Sequence, residues 1–115
     1  MITGVHTLFF TPQAEELRAF IRDKLGFSYT DAGGGLLIFD LPEADMAVHP
    51  SDVPMHDISF YCDDIHATVA ELKGRGVVFT ISITDTDSRL MTRFKMPGGL
   101  EVELYQPKYA KGSSR

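Results

Sequence analysis

The chain has 115 residues, 43% hydrophobic and 23% charged, which suits a single globular domain able to bury a core. Its 11 basic and 16 acidic residues leave a net charge of −5, so no basic stripe is available to neutralise phosphates and no nucleic-acid partner is expected. No apolar run approaches the roughly 18 residues needed to span a bilayer, which argues against a membrane partner.

The opening Met1-Ile2-Thr3-Gly4 has no basic segment followed by an apolar one, so a cytoplasmic location is expected. Residues 4–11 are rich in β-branched and aromatic types and predict a strand. Thr11-Pro12 predicts a helix start, with Thr11 as N-cap and Glu15 and Glu16 at the positive end of the dipole. Leu17, Phe20, Ile21 and Leu25 then recur at helical spacing, and Gly26 predicts the C-cap. Short strands follow at 27–30 and 36–41, separated by turn chemistry at 31–35, and a further strand at 46–49 stops at Pro50.

Pro50-Ser51-Asp52-Val53-Pro54 reads as a linker, after which the order repeats. A strand at 56–62 ends in Cys62, whose place in an apolar run predicts a small buried hydrophobe; as the only cysteine it can form no intramolecular disulfide. Asp63-Asp64 caps a second helix with Ile65, Val69 and Leu72 on one face, broken at Gly74-Arg75-Gly76. Strands at 77–83, 90–96 and 100–105 complete the unit, the last two joined by the tight turn Pro97-Gly98-Gly99. The chain therefore reads as one domain over 1–115: module one at 4–50, module two at 55–107 and a tail at 108–115.

Sliding the sequence on itself by fifty residues lays His6 on His56, Leu8 on Ile58, Phe10 on Phe60, Gly26 on Gly76 and Thr30 on Thr80. Each copy is βαβββ, an α+β arrangement with helices covering one face of the sheets. On the first strand His6, Leu8 and Phe10 share a face; on the last, Glu101, Glu103 and Tyr105 do, opposite Leu100, Val102 and Leu104. A carboxylate on one strand beside a histidine on another is how a first-row metal site is assembled, since imidazole and carboxylate suit divalent iron, zinc, nickel or manganese. His49, at a strand end, and His56 or its neighbour Asp57 extend the candidate set, whereas His66 lies off its helix's apolar face and takes no role. There is no Gly-x-Gly-x-x-Gly after a strand, no phosphate loop, no Gly-x-Ser-x-Gly and no Cys-x-x-Cys.

Four stretches in this order and spacing resemble one family. They are Val5-His6-Thr7-Leu8, Arg22-Asp23-Lys24-Leu25-Gly26-Phe27, Ile58-Ser59-Phe60-Tyr61-Cys62-Asp63-Asp64-Ile65, and Pro97-Gly98-Gly99-Leu100-Glu101-Val102-Glu103-Leu104-Tyr105-Gln106-Pro107. Together they are similar to the vicinal oxygen chelate superfamily, which groups glyoxalase I, bleomycin-resistance proteins and extradiol dioxygenases, over residues 2–107. The resemblance implies two βαβββ modules, each curling an incomplete barrel around a cup with the helices outside, usually paired as a homodimer. It also implies metal ligands from the first and last strand of each module, so that His6 matches the first-strand ligand and Glu103 the last-strand one. At the second module's first strand the family spacing falls on Asp57, while the gap-free repeat gives His56. At the last strand of module one the match to Glu103 is Met46, a poor ligand for hard divalent ions, with His49 near the strand's end.

Two functions follow as expectations. In the first, a divalent ion held by His6, His49, His56 or Asp57, and Glu103 binds a small oxygen-bearing substrate and acts as a Lewis acid in a lyase or dioxygenase. Glu103 then ligates or serves as base, and Tyr105 donates a hydrogen bond. In the second, the protein sequesters an aromatic or amphiphilic ligand without metal or catalysis, against Phe10, Phe39, Phe60 and Phe94.

Overall fold

A computed structural model describes residues 7–33, 37–41, 43–44, 52–53 and 57–108 of the chain. The first helix, α1 (Ala14–Phe20), buries Leu17 and Phe20 and runs on into one π-helical turn, Ile21–Leu25, that adds Ile21 to the same face. Gly26 closes it at φ 72°, the left-handed conformation that a C-terminal glycine adopts without strain. Thr11 is not the N-cap. Its Oγ1 accepts the Gln13 N–H at 3.2 Å and donates to the Gly98 carbonyl at 3.2 Å, so the helix starts later, with Gln13 at the cap position.

Two short antiparallel strands follow, β1 (Tyr29–Asp31) and β2 (Leu37–Phe39), with Thr30 opposite Ile38. The second module is complete: β3 (Ser59–Tyr61), α2 (Ile65–Gly74), β4 (Thr84–Asp85), β5 (Arg89–Met96) and β6 (Leu100–Pro107). Asp64 caps α2, accepting the Ala67 N–H at 3.1 Å, while the side chain of Gln106 accepts the Ile65 N–H at 2.9 Å. Ile65, Val69 and Leu72 are buried as their spacing predicts.

The four-stranded sheet has the order β3-β6-β5-β4, with β3 parallel to β6 and the other pairs antiparallel. The Pro97-Gly98-Gly99 turn sets the β5–β6 register: Phe94 lies opposite Val102, Thr92 opposite Leu104 and Met91 opposite Tyr105. One sheet face carries Phe94, Met96, Val102 and Leu104, and packs with the buried faces of both helices in a single core. Phe94, only 1% exposed, lies at the centre of that core. Its ring stacks on Phe60 at 6.4 Å and meets Phe79 edge-on at 5.6 Å. Thr92 is buried in the same layer, and its hydroxyl is satisfied by the Ile81 carbonyl at 2.8 Å.

The ends of the two helices meet. The Arg75 guanidinium donates to the Lys24 carbonyl at 3.1 Å, beside Gly26. The fifty-residue repeat thus appears in space as two helix C-termini set against each other.

Two predicted strands come out differently. Residues 7–10 pair with no described strand, and the strand predicted at 46–49 lies outside the described residues. Phe9 packs partly against the core, whereas Leu8 and Phe10 are exposed. Residues 77–83 make one bridge, Phe79 to Phe94, and are held to β5 by Lys95 N–H to Val78 O and Thr80 N–H to Arg93 O. β-propensity reports how well a side chain suits a half-buried pleated surface, which residues 77–83 provide without a full ladder. Among the described residues no helix is long and apolar enough to cross a membrane.

Candidate functional site

The sheet face turned away from the helices collects polar and aromatic side chains from three strands. β6 contributes Glu101, Glu103 and Tyr105; β5 contributes Arg89, Met91, Arg93 and Lys95; β3 contributes Ser59 and Tyr61. Period-two alternation alone sorts them so, because Val102, Leu104, Phe94 and Phe60 all go to the core.

Glu103 is the centre of this face. It is 8% exposed, an unusual burial for a carboxylate on the side without helices. Both of its oxygens are engaged: Ser59 Oγ, directly opposite on β3, donates to Oε2 at 3.1 Å, and Arg89 Nη2 donates to Oε1 at 3.3 Å. Arg89 sits opposite Pro107, two cross-strand pairs away from Glu103 on the same face, so its side chain reaches along the strand. Its Nη2 also lies 3.7 Å from Met91 Sδ on the way. The Arg89 Nε is buried and has no hydrogen-bond partner among the described residues. Arg93, the residue directly opposite Glu103, pairs instead with Glu101 at 3.9 Å.

Tyr105 is buried next along β6, and its ring centroid lies 5.9 Å from that of Tyr61, tilted by 46°. Glu103, Tyr105, Ser59, Tyr61, Met91 and Arg89 therefore form one surface: two phenol rings and a thioether beside a buried, hydrogen-bonded ion pair. Asp57 is two residues before Ser59, in phase with Glu103. It is exposed, and its own Oδ1 accepts the Ile58 N–H at 2.9 Å.

Of the sequence-predicted site residues, Glu103 and Tyr105 share this face. His6, His49 and His56 lie outside the described residues, as does Met46. Phe60 and Phe94, expected as cup walls, belong to the core beneath the helices, and Phe39 packs against that core. Alternation is the reason, since both have the parity of Val102 and Leu104 in the paired register. Sequence reasoning missed Arg89, Ser59, Met91 and Tyr61. The period-two pattern of 89–96 joined to the Pro97-Gly98-Gly99 turn is the signal that puts Arg89 and Met91 on the Glu103 face.

The described part of the donor set does not suit a divalent ion. A metal at Glu103 would sit beside the Arg89 guanidinium, a like charge 3.3 Å from the carboxylate. No group of three or more His, Cys, Asp or Glu side chains comes together among the described residues. Cys62 is half-buried, its Sγ lies 3.7 Å from the Tyr105 carbonyl, and burial pushes its pKa up.

The family model described as Glyoxalase/Bleomycin resistance protein/Dioxygenase superfamily matches residues 4–104. No curated protein matches the chain by sequence. Among solved structures, an antibiotic-binding protein from a Streptomyces species is similar at 22% identity with a TM-score of 0.67, covering 94% of this chain and 100% of that one. A superfamily member from Sphaerobacter thermophilus is 24% identical (TM-score 0.63, covering 91% and 98%). A lactoylglutathione lyase from Agrobacterium tumefaciens is 21% identical (TM-score 0.61, covering 87% and 90%). At these identities the likeness is one of fold, and it spans both binding proteins and enzymes.

Proposed function

This chain belongs to the glyoxalase/bleomycin resistance protein/dioxygenase superfamily, and from that premise we propose that it is a small-molecule-binding protein that works without a metal. The binding surface is the β3–β6–β5 face around Tyr61, Met91 and Tyr105. One observation carries this reading: both oxygens of Glu103, the last-strand ligand in metal-dependent relatives, are held by Ser59 and Arg89. A carboxylate so engaged is a fixed polar element of a binding wall. The partly exposed Tyr61 ring and Met91 thioether supply apolar contact area, backed by the buried Tyr105 ring.

The similarity in fold to an antibiotic-binding protein supports a ligand of drug-like size. The similarity to a lactoylglutathione lyase keeps the metal-dependent reading as the competitor, with His6, His49, His56 and Glu103 as ligands. Thermal-shift measurements separate them. Stabilisation by members of an aromatic compound panel, unaltered by EDTA, is the expected result. Uptake of one iron, zinc, nickel or manganese ion per chain, lost in His6→Ala and Glu103→Gln, would sink the reading. The exposed Leu8 and Phe10 give a second copy an apolar surface to cover, which supports the homodimer expected from the family.

A further inference from the structure

We infer that Met91 is a site of oxidative modification: a peroxide converts its thioether to the sulfoxide, and the Arg89 guanidinium receives the new oxygen. Three observations carry this. First, the two methionines among the described residues differ in access. Met96 is 4% exposed in the core, whereas Met91 is partly exposed on the face away from the helices. Thioether oxidation follows exposure to a small oxidant. Second, Met91 Sδ already accepts a hydrogen bond from Arg89 Nη2 at 3.7 Å. A thioether sulfur is a weak acceptor and a sulfoxide oxygen a strong one, so oxidation reinforces a contact that exists.

Third, Arg89 Nε is buried and has no partner among the described residues. A buried donor left unpaired is costly. Nε and Nη2 stand on one edge of the planar guanidinium, the edge with which Arg22 grips both oxygens of Asp23 at 2.7 and 2.9 Å. An oxygen one bond away from Met91 Sδ reaches that edge by rotation about Cγ–Sδ. The acceptor is made on the chain itself, and no molecule has to enter as far as Nε.

In the step, a lone pair of Sδ attacks one oxygen of hydrogen peroxide. The S–O bond forms as the O–O bond breaks, the proton on the transferred oxygen passes to the departing hydroxide, and water leaves. Sulfur is oxidised and the peroxide reduced. Methionine sulfoxide reductases return the thioether, which makes the change reversible. Glu103 then shares Arg89 with a second acceptor. Where the face holds a ligand, as proposed above, thioether contact area becomes polar.

The test treats the full chain with millimolar hydrogen peroxide and maps it by mass spectrometry after trypsin. Cleavage at Arg89, Arg93, Lys95 and Lys108 puts Met91 and Met96 on separate peptides, 90–93 and 96–108. Peptide 90–93 is expected to oxidise at least about fivefold faster than 96–108 in the folded protein, with the two rates converging in urea. NMR of the guanidinium groups reads the capture. The Arg89 Nε–H proton is expected to move downfield when Met91 is fully oxidised and to return after reductase treatment. Met91→Leu, a swap of similar volume, is the control in which peroxide leaves that resonance in place. Equal oxidation rates at Met91 and Met96 overturn Met91 as the site. An Arg89 Nε–H that stays put at full oxidation, or moves equally in Met91→Leu, overturns its capture of the oxygen. Both readouts are made without ligand, so a binding face that fails the thermal-shift test leaves them unaffected.

Discussion

Replacing Arg89 by Met tests whether Glu103 is part of a wall or a ligand in waiting. At 3.3 Å, two unit charges attract by about 5 kcal/mol at an effective dielectric constant near 20. The Arg89 side chain is 35% exposed, so solvent screening and the desolvation of both groups leave a net coupling of about 1–2 kcal/mol. Arg89→Met strands a nearly buried carboxylate with one remaining donor, Ser59, and is expected to cost about 1–3 kcal/mol. Glu103→Gln alone leaves Arg89 its solvent and is expected to cost less. The double variant should recover part of the sum, since neither buried charge is then left alone. Urea unfolding of all four proteins, followed by circular dichroism, gives the cycle. Additive losses, or an Arg89→Met protein as stable as the wild type, would refute the account of Glu103 as a buried member of a pair. A gain in zinc or nickel affinity in Arg89→Met, by contrast, would show a ligand freed from its guard.

Phe94→Ala is expected to cost about 3–5 kcal/mol in the same urea assay, because a fully buried ring is removed from between Phe60 and Phe79. At Gly98, φ is 92° and an added Cβ would stand 2.9 Å from the Cβ of Thr11. Gly98→Ala should therefore lower stability by about 1–3 kcal/mol, with Thr11→Ala, which removes the Oγ1 nearest to the new Cβ, recovering part of it. Cys62 should alkylate with iodoacetamide along a pH profile whose midpoint lies above that of free cysteine, since burial raises its pKa. A group raised on folding contributes stability that is present below its unfolded pKa and lost as pH rises through the folded one. Alkaline stability should accordingly improve in Cys62→Ser if the hydroxyl keeps the bond to Tyr105 O. Size-exclusion chromatography with light scattering is expected to give a dimer at micromolar concentration; a Phe10→Ser, Leu8→Ser variant should shift it towards monomer.

Much of the second module was legible before any coordinates. Ile65, Val69 and Leu72 at i, i+4 and i+7, capped by Asp64, could only be one amphipathic helix, and it formed as read. The Pro97-Gly98-Gly99 turn between two alternating runs set a register that placed Glu103 and Tyr105 on one face and Val102 and Leu104 on the other. The strand at 77–83 was less legible, because the Thr92 hydroxyl takes the Ile81 carbonyl and only the bridge at Phe79 remains. Phe60 and Phe94 were misplaced as cup walls. Their aromatic character suits a ligand and a core equally, and only the pairing of β3, β5 and β6 decides between the two.

The sequence by itself determined the helix faces, the βαβββ order of the second module, the family and the phase of Glu103. Each of these depends on periodicities of 3.6 or 2 that the backbone imposes within a few residues. Tertiary structure alone decided what Glu103 touches. Direct cross-strand register pairs it with Arg93, yet Arg93 turns to Glu101, and Arg89 reaches along the strand past Met91 to take its place. Ser59 arrives from a strand 44 residues earlier, through a parallel pairing that no local pattern announces. Long side chains lean along a strand as well as standing off it, so the partner of a buried charge is settled by packing rather than by spacing. That choice leaves Glu103 hydrogen-bonded to Ser59 and ion-paired with Arg89.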